Sequence, residues 1–258
     1  MADGPLLELV HIGKRFGQVV VAEDISLAVG PGDAIGIVGP NGAGKTSLFG
    51  IISGDLAPDA GDVRLDGRAV TRLDPAERCR LGIGRTYQVP RPFEGMTVFE
   101  NVLVATQQGG AASGPASYGR AAGVVSETGL GPDANRPAGQ LGLLARKRLE
   151  LARALATSPR VLLLDEVAGG LTDPEVAQLV AIVRAARERG TAIIWIEHVV
   201  RALVEVVDRL VCLAGGRIIG DGAPAAVLAS PVVREVFLGT EATAEAVAAG
   251  LAADGGRR

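Results

Sequence analysis

Eight consecutive residues, Gly39-Pro40-Asn41-Gly42-Ala43-Gly44-Lys45-Thr46, fit the phosphate-loop pattern G-x-x-x-x-G-K-[ST] at every fixed position. Such a loop holds a polyphosphate with main-chain N–H groups, because a helix start leaves its first amides unpartnered and carries the positive end of the helix dipole. Gly42 and Gly44 let the backbone curl with no side chain in the way. Lys45 has the reach for the outer phosphates, and the Thr46 hydroxyl suits Mg²⁺. Far along the chain, Asp165-Glu166 closes an apolar run. In phosphate-loop proteins a carboxylate there supports the Mg²⁺ that bridges the outer phosphates, and Glu166 stands where it can polarise a water in line with the γ-phosphate. The competing account makes both acids solvated caps, yet two acids after four aliphatic residues are unusual unless they are used. His198 follows Glu197 at the end of another apolar run and could meet the γ-phosphate or hold the attacking water. Alone, such a histidine is more often structural, and Gln88 alone is an ordinary polar loop residue. The loop and the acids imply a nucleotide-dependent protein.

These residues need strands that end at one place. Ala34–Val38, before the loop, is a short apolar run of the buried-strand type, and Leu48, Phe49, Ile51 and Ile52 after it share one face of a helical period. Val161–Leu164 and Thr191–Ile196 read as further strands, separated by a helix from Asp173 to about Arg189. Upstream, Leu6–Val10 and Val19–Val29 read as antiparallel strands around a polar turn at 13–18, which contains Phe16; that ring either packs or lies against a flat base. Gly61–Gly67 is a strand bounded by glycines. Pro75–Leu81 is a short helix capped by Asp74, with proline at its first position.

Prolines at 90 and 92 then break regular structure. Thr97–Thr106 reads as helical, Gln107–Gly123 as a flexible Gly/Ala/Ser connection, and Arg146–Thr157 as a strong helix. Arg209–Ala214 and Arg217–Ile219 form a hairpin, followed by two short helices introduced by Pro224 and Pro231. The expected fold is α/β: a phosphate-loop core (6–88 and 159–239) with a mainly parallel sheet, an N-terminal antiparallel β-subdomain, and an inserted helical subdomain at about 89–158. The Ala/Gly-rich stretch 240–258 reads as poorly ordered.

Bulk properties narrow the classes. Of 258 residues, 48% are hydrophobic and only 3% aromatic, so the core is aliphatic. A net charge of −3 lacks the basic balance of a nucleic-acid binder. Cys79 and Cys212 match no metal spacing and suit a reducing cytosol. No apolar run approaches the roughly 18–20 residues of a membrane span, and the N-terminus has no secretory pattern. The expectation is a soluble cytoplasmic chain whose place at a membrane comes through a partner.

Taken in order, Phe16, the loop 39–46, Gln88, a helical insertion, Arg148–Leu155, Leu163-Leu164-Asp165-Glu166 and Glu197-His198 resemble an ABC-type ATPase subunit over about residues 6–239. The resemblance implies ATP and Mg²⁺ as ligands. Phe16 would stack on adenine and Ser47 would add a phosphate contact. Gln88 would sense Mg²⁺ and the membrane partner, Glu166 would be the general base, and His198 the γ-phosphate switch. Two such domains sandwich two ATP molecules, each site completed by the other subunit's signature loop. Gly84-Arg85-Thr86-Tyr87-Gln88, Trp195–Val200 and Val232–Gly239 look most like ATPases of importers for branched-chain amino acids or small amides. The implied partners are transmembrane permease subunits, a second ATPase subunit and, indirectly, a solute-binding protein; the place is the inner face of the cell membrane.

This chain departs from the family pattern where the signature loop belongs. Leu141-Gly142-Leu143-Leu144-Ala145 stands there, without the serine hydroxyl and the later glycine that lets a backbone approach a phosphate. Val167 replaces the usual proline and Thr172 the usual aspartate. The expectation is a lopsided dimer, one site competent and one weak. Alternatives are an exporter ATPase, or an ABC-type ATPase of DNA repair or chromosome organisation, which would need a long coiled coil, a zinc module or a basic face. A translation-associated protein would carry two ATPase units. A kinase or GTPase reading lacks an Asn-Lys-x-Asp motif and leaves the acid and histidine pairings unexplained.

Overall fold

A computed structural model of the chain describes residues 4–238. The expected tail at 240–258 lies outside the described residues. Two sheets carry the architecture. The first is antiparallel, in the order β2-β1-β4-β5, built from β1 (Leu7–Phe16), β2 (Val19–Val29), β4 (Ala60–Leu65) and β5 (Arg68–Ala69). The second runs β10-β9-β3-β8-β7-β6, with β3 (Ala34–Val38), β6 (Ile83–Arg85), β7 (Val161–Asp165), β8 (Ala192–Ile196), β9 (Arg209–Ala214) and β10 (Arg217–Gly222). From β9 to β6 every neighbour is parallel, and only β10 returns antiparallel.

β3, β7 and β8 are buried along their whole length, as parallel strands covered on both faces must be. Their alternation divides the core. Leu162, Leu164, Ile193 and Trp195 face a cluster completed by helices α5 (Leu143–Ala156) and α6 (Asp173–Glu188). Val161, Leu163, Ile194 and Ile196 face the opposite cluster, with α1 (Lys45–Ser53) and the antiparallel sheet. Leu48, Phe49, Ile51 and Ile52 of α1 are each at most 1% exposed, which is the apolar face read from the sequence. Helix α2 (Pro75–Arg80) has the Asp74 cap as a full capping box with Glu77.

Three local expectations are corrected. The first strand does not stop at Val10: β1 continues through register shifts to Phe16, leaving Gly17-Gln18 as the turn. Phe16 is therefore the last residue of a strand, paired with Val19, rather than part of a long turn. Residues 107–123 are not one flexible connection. Helix α3 (Val98–Gln108) is followed after a short break by α4 (Pro115–Glu127), whose Ser117, Ala121, Val124 and Val125 are buried. Small side chains let α4 lie close to its neighbours. Helix α5 starts at Leu143 rather than Arg146, so Leu143, Leu144 and Ala145 form its first turn. Three further helices among the described residues are α7 (Val200–Val204), between β8 and β9, and α8 (Pro224–Ala229) and α9 (Pro231–Leu238), after β10.

Candidate functional site

Register brings the chemistry together. Ile37 of β3 pairs with Ile196 of β8, and Ile196 pairs with Asp165 of β7, while Arg85 of β6 pairs with Leu163. The carboxyl ends of four adjacent parallel strands therefore lie along one edge. The phosphate loop follows β3, Glu197-His198 follows β8, Asp165-Glu166 ends β7, and Gln88 follows β6. Ligands of open α/β sheets bind outside such an edge.

The loop from Gly39 to Thr46 is tightly seated. Gly44 has φ +99°, and a β carbon there would sit 2.0 Å from the Val21 carbonyl oxygen of β2; at Gly39 it would sit 2.1 Å from that of Leu213. Pro40 and Asn41 carry the outer bend, and Ala43 is buried, its amide donating to the Pro40 carbonyl. Leu48 makes the first helical bond, to Gly44, so the amides of Lys45, Thr46 and Ser47 precede it. Lys45 is 6% exposed and folds back, its Nζ donating to the carbonyls of Gly39 at 2.7 Å and Pro40 at 3.0 Å. Burial lowers its pKa, opposed by Glu166 and Asp165. Thr46 is exposed.

Asp165 is 2% exposed, and burial raises its pKa against the pull of Arg85. Arg85 Nη2 holds Asp165 Oδ2 at 3.2 Å and Nη1 reaches Asp55 at 3.0 Å. Asp165 Oδ1 is buried and has no hydrogen-bond partner among the described residues. An orphaned carboxylate oxygen beside a cationic loop is costly unless a ligand claims it. The Thr46 hydroxyl and the Gln88 side-chain oxygen, on segments that follow other strands of the same edge, are like this carboxylate hard oxygens of the kind Mg²⁺ takes, so the residue types present fit that ion.

Glu166 sits at φ +48°, a left-handed conformation unusual for a residue other than glycine. Its carboxylate is clasped from two sides. Gln88 Nε2 donates to Oε2 at 2.5 Å, and His198 Nε2 lies 2.8 Å from Oε1. Gln88, Glu166 and His198 thus meet, although 78 positions separate the first two in sequence. Phe16 is 52% exposed under the Lys14 ammonium, 5.4 Å from the ring centroid. It belongs to the same hairpin as Val21, whose carbonyl abuts the phosphate loop at Gly44.

Leu141–Ala145 is not part of this cluster. Leu141 is buried, Gly142 is the N-cap of α5 with no side-chain cap, and Leu143 is 48% exposed against Gly170. Three residues near the cluster were not singled out as functional from sequence: Arg85, Lys147 and Glu197. Lys147 Nζ donates to the carbonyls of Gln88 and Glu166, and Glu197 accepts the Ala168 amide at 2.6 Å. The only sequence signal was a charged residue beside or within an apolar pattern.

The arrangement can hold a triphosphate on amides and cations and set a carboxylate beside it. Comparison with known proteins agrees. Residues 22–169 match the ABC transporter family model. The high-affinity branched-chain amino acid transport ATP-binding protein BraF of Pseudomonas aeruginosa is 34% identical, over 91% of this chain and 98% of that protein. The lipopolysaccharide export system ATP-binding protein LptB of Acidithiobacillus ferridurans is also 34% identical, over 92% and 98%. A crystal structure of an ABC transporter's ATP-binding cassette in its ADP conformation superposes with a TM-score of 0.83 at 29% identity, covering 91% of this chain and 99% of the other. The chain thus belongs to the ABC transporter family and is one of its ATP-hydrolysing subunits.

Proposed function

We propose that this chain powers an importer of branched-chain amino acids or related small amides. The observation that carries its ATPase part is the Glu166 carboxylate held between Gln88 and His198, on the strand edge that also bears the phosphate loop. The import reading is supported by the BraF similarity along nearly the full length of both proteins. The equal similarity to LptB supports the shared ATPase role only.

In this reading, residues 39–47 bind the phosphates of ATP, with Lys45 leaving the loop carbonyls for the outer phosphates. Thr46, Gln88 and Asp165 would hold Mg²⁺, which would supply charge neutralisation for the transferred phosphoryl group. Glu166 accepts a proton from the attacking water, and His198 orients toward the γ-phosphate. Phe16 stacks on the base. Tyr87 (40% exposed) lines a groove with Asp55, Arg85, Glu150 and Arg153, the exposed Phe93 ring lies under the Arg153 guanidinium, and this face receives a permease subunit at the inner side of the membrane. Among the described residues no helix is long and apolar enough to cross a membrane.

A second ATPase subunit completes the assembly. The chain's own Lys45, Asp165, Glu166 and His198 form a full set, whereas Leu141–Ala145 offers a partner nucleotide only main-chain amides and an exposed Leu143. The partner is therefore a different chain with an intact serine-glycine loop, and the two sites turn over unequally. Affinity purification of the tagged chain from its native membrane tests this. A permease and a distinct second ATPase are expected to co-purify, with amino acids stimulating turnover through a solute-binding protein. Recovery with DNA or ribosomes overturns the transport reading, and full turnover by a pure homodimer overturns the unequal pairing.

A further inference from the structure

Lys147 lies one turn inside α5 and is 6% exposed, yet its ammonium donates to two main-chain carbonyls, Glu166 at 3.0 Å and Gln88 at 3.3 Å. Burying an ammonium costs free energy that two carbonyls only partly offset, and a leucine there would fill the same space without that cost. Burial accordingly depresses its pKa, with Glu197 the foremost of four carboxylates opposing the shift.

The two carbonyls belong to the two segments whose side chains also meet. Gln88 and Glu166 are joined once through their side chains at 2.5 Å and again through Lys147 at their backbones, which closes a ring. Glu166 needs the second link. Its left-handed backbone is disfavoured for an L-residue, and rotating its peptide planes would swing the carboxylate away from His198. The plane before it is pinned by the Glu166 amide donating to the Ile196 carbonyl at 2.9 Å. The plane after it is held by Lys147, and the chain is caught again two residues on, where Ala168 donates to Glu197. Of these holds, only Lys147 reaches in from a helix; the other two come from the end of β8.

We propose that Lys147 is a positioning residue that fixes the backbone at Glu166 and ties the aim of this carboxylate, together with Gln88, to the position of helix α5. A shift of α5 against the sheet then moves both residues directly. Because α5 begins in Leu141–Ala145, engagement of that segment by a second subunit reaches this chain's own carboxylate through one side chain. The inference rests on the reading of Glu166 as the group that activates water, and is independent of which solute is carried.

The test uses the full chain with its co-purified partners, comparing Lys147→Met, which keeps the stem, and Lys147→Arg, which keeps charge and donors. Loss of hydrogen bonds from a charged donor is expected to lower kcat of the Met variant about 10- to 100-fold. Nucleotide Kd measured without Mg²⁺ should stay at the wild-type value, since Lys147 donates to no phosphate-loop residue. The Arg variant should recover most of the turnover. Wild-type kcat in the Met variant overturns the proposal. So does a fall in kcat matched by an equal loss of nucleotide binding, or an Arg variant as slow as Met, because both mark a merely structural residue. Should the Met variant not fold, Lys147→Leu supplies an apolar side chain with no donor, and unchanged turnover in it overturns the proposal equally. Glu166→Gln, run alongside, separates the two levels: normal turnover in that variant sinks the reading of Glu166 itself, whatever Lys147 does.

Discussion

Gly44→Ala probes how rigidly the phosphate loop is held, and Gly42→Ala is its internal control. Both glycines have positive φ, +99° and +81°, so alanine at either carries a conformational penalty of about 1–3 kcal/mol. They differ in surroundings. Among the described residues a β carbon at Gly42 meets nothing within 4 Å, whereas at Gly44 it lands 2.0 Å from the Val21 carbonyl oxygen. That oxygen belongs to the main chain of a paired strand and cannot rotate aside, so separating loop and strand costs a further ~1–3 kcal/mol. Gly44→Ala is therefore worth about 2–6 kcal/mol in all, or roughly 30- to 20,000-fold in an equilibrium constant. If the loop lifts off β2, the loss appears as weakened nucleotide binding; if it cannot, melting falls by roughly 2–4 °C per kcal/mol in a chain of this size. Titration calorimetry with a non-hydrolysable ATP analogue and Mg²⁺, beside thermal unfolding of both variants, reads the two channels. Equal summed losses in the two variants, within about 0.5 kcal/mol, would refute the claim that Val21 braces the loop.

Glu166→Gln should keep nucleotide binding while lowering kcat by about 10²- to 10⁴-fold, as removal of a general base does, and should hold the closed dimer in size-exclusion runs with ATP; unchanged hydrolysis removes Glu166 from its role. Arg78, 1% exposed, donates to the carbonyls of Ile51, Ile52, Thr71 and Leu73 and so ties the end of α1 to the loop before α2. Arg78→Met should cost about 3 kcal/mol or more and lower melting by roughly 6–12 °C, read by calorimetry. Burial pushes the Cys212 thiol up to about 11. The unfolded chain then loses this proton at lower pH than the folded one, so the thiol's contribution to stability is complete below about pH 9 and is lost as pH rises through about 11. Denaturant melts across that window should show a smaller decline in Cys212→Ala; an identical decline contradicts the assignment.

What was legible in the chain were patterns closed over a few residues. Ala34–Val38, Val161–Leu164 and Thr191–Ile196 are short, nearly unbroken apolar runs, and burial on both sheet faces makes use of such runs. Asp74, Pro75 and Glu77 state a helix start within four positions. Helix α4 was hidden for the opposite reason. Its buried positions include Ser117 and Ala121, which offer little hydrophobic contrast against the exposed glycines and alanines around them. Distance in sequence hid the supporting side chains. Arg85 meets Asp165 across 80 positions, Lys147 meets Glu166 across 19, and Glu197 meets Ala168 across 29. No periodicity links such pairs; only the strand order β3-β8-β7-β6 does, and that order is a property of the assembled sheet.

The same network explains why the site can wait. Lys45 is bonded to Gly39 and Pro40, and Glu166 to Gln88 and His198, so these charged groups already have partners within the chain. A nucleotide that takes Lys45 from its carbonyls exchanges one set of bonds for another, a net gain of about 1 kcal/mol per bond rather than the gross 4–6 kcal/mol. Affinity must then come chiefly from groups with nothing to give up: the uncapped amides at the start of α1 and the orphaned Asp165 Oδ1. The amides would take the phosphates, and Asp165 Oδ1 the Mg²⁺ that accompanies them, without disturbing Glu166. In the proposed mechanism water activation needs more, because Gln88 and His198 would have to release or share the carboxylate before it could take a proton. The forces that could do this lie outside the phosphate loop, in movement of the segment after β6 and of helix α5. Under the proposed roles, binding and cleavage are thereby separated within one strand edge, and the second step would answer to the neighbours of this chain rather than to the nucleotide alone.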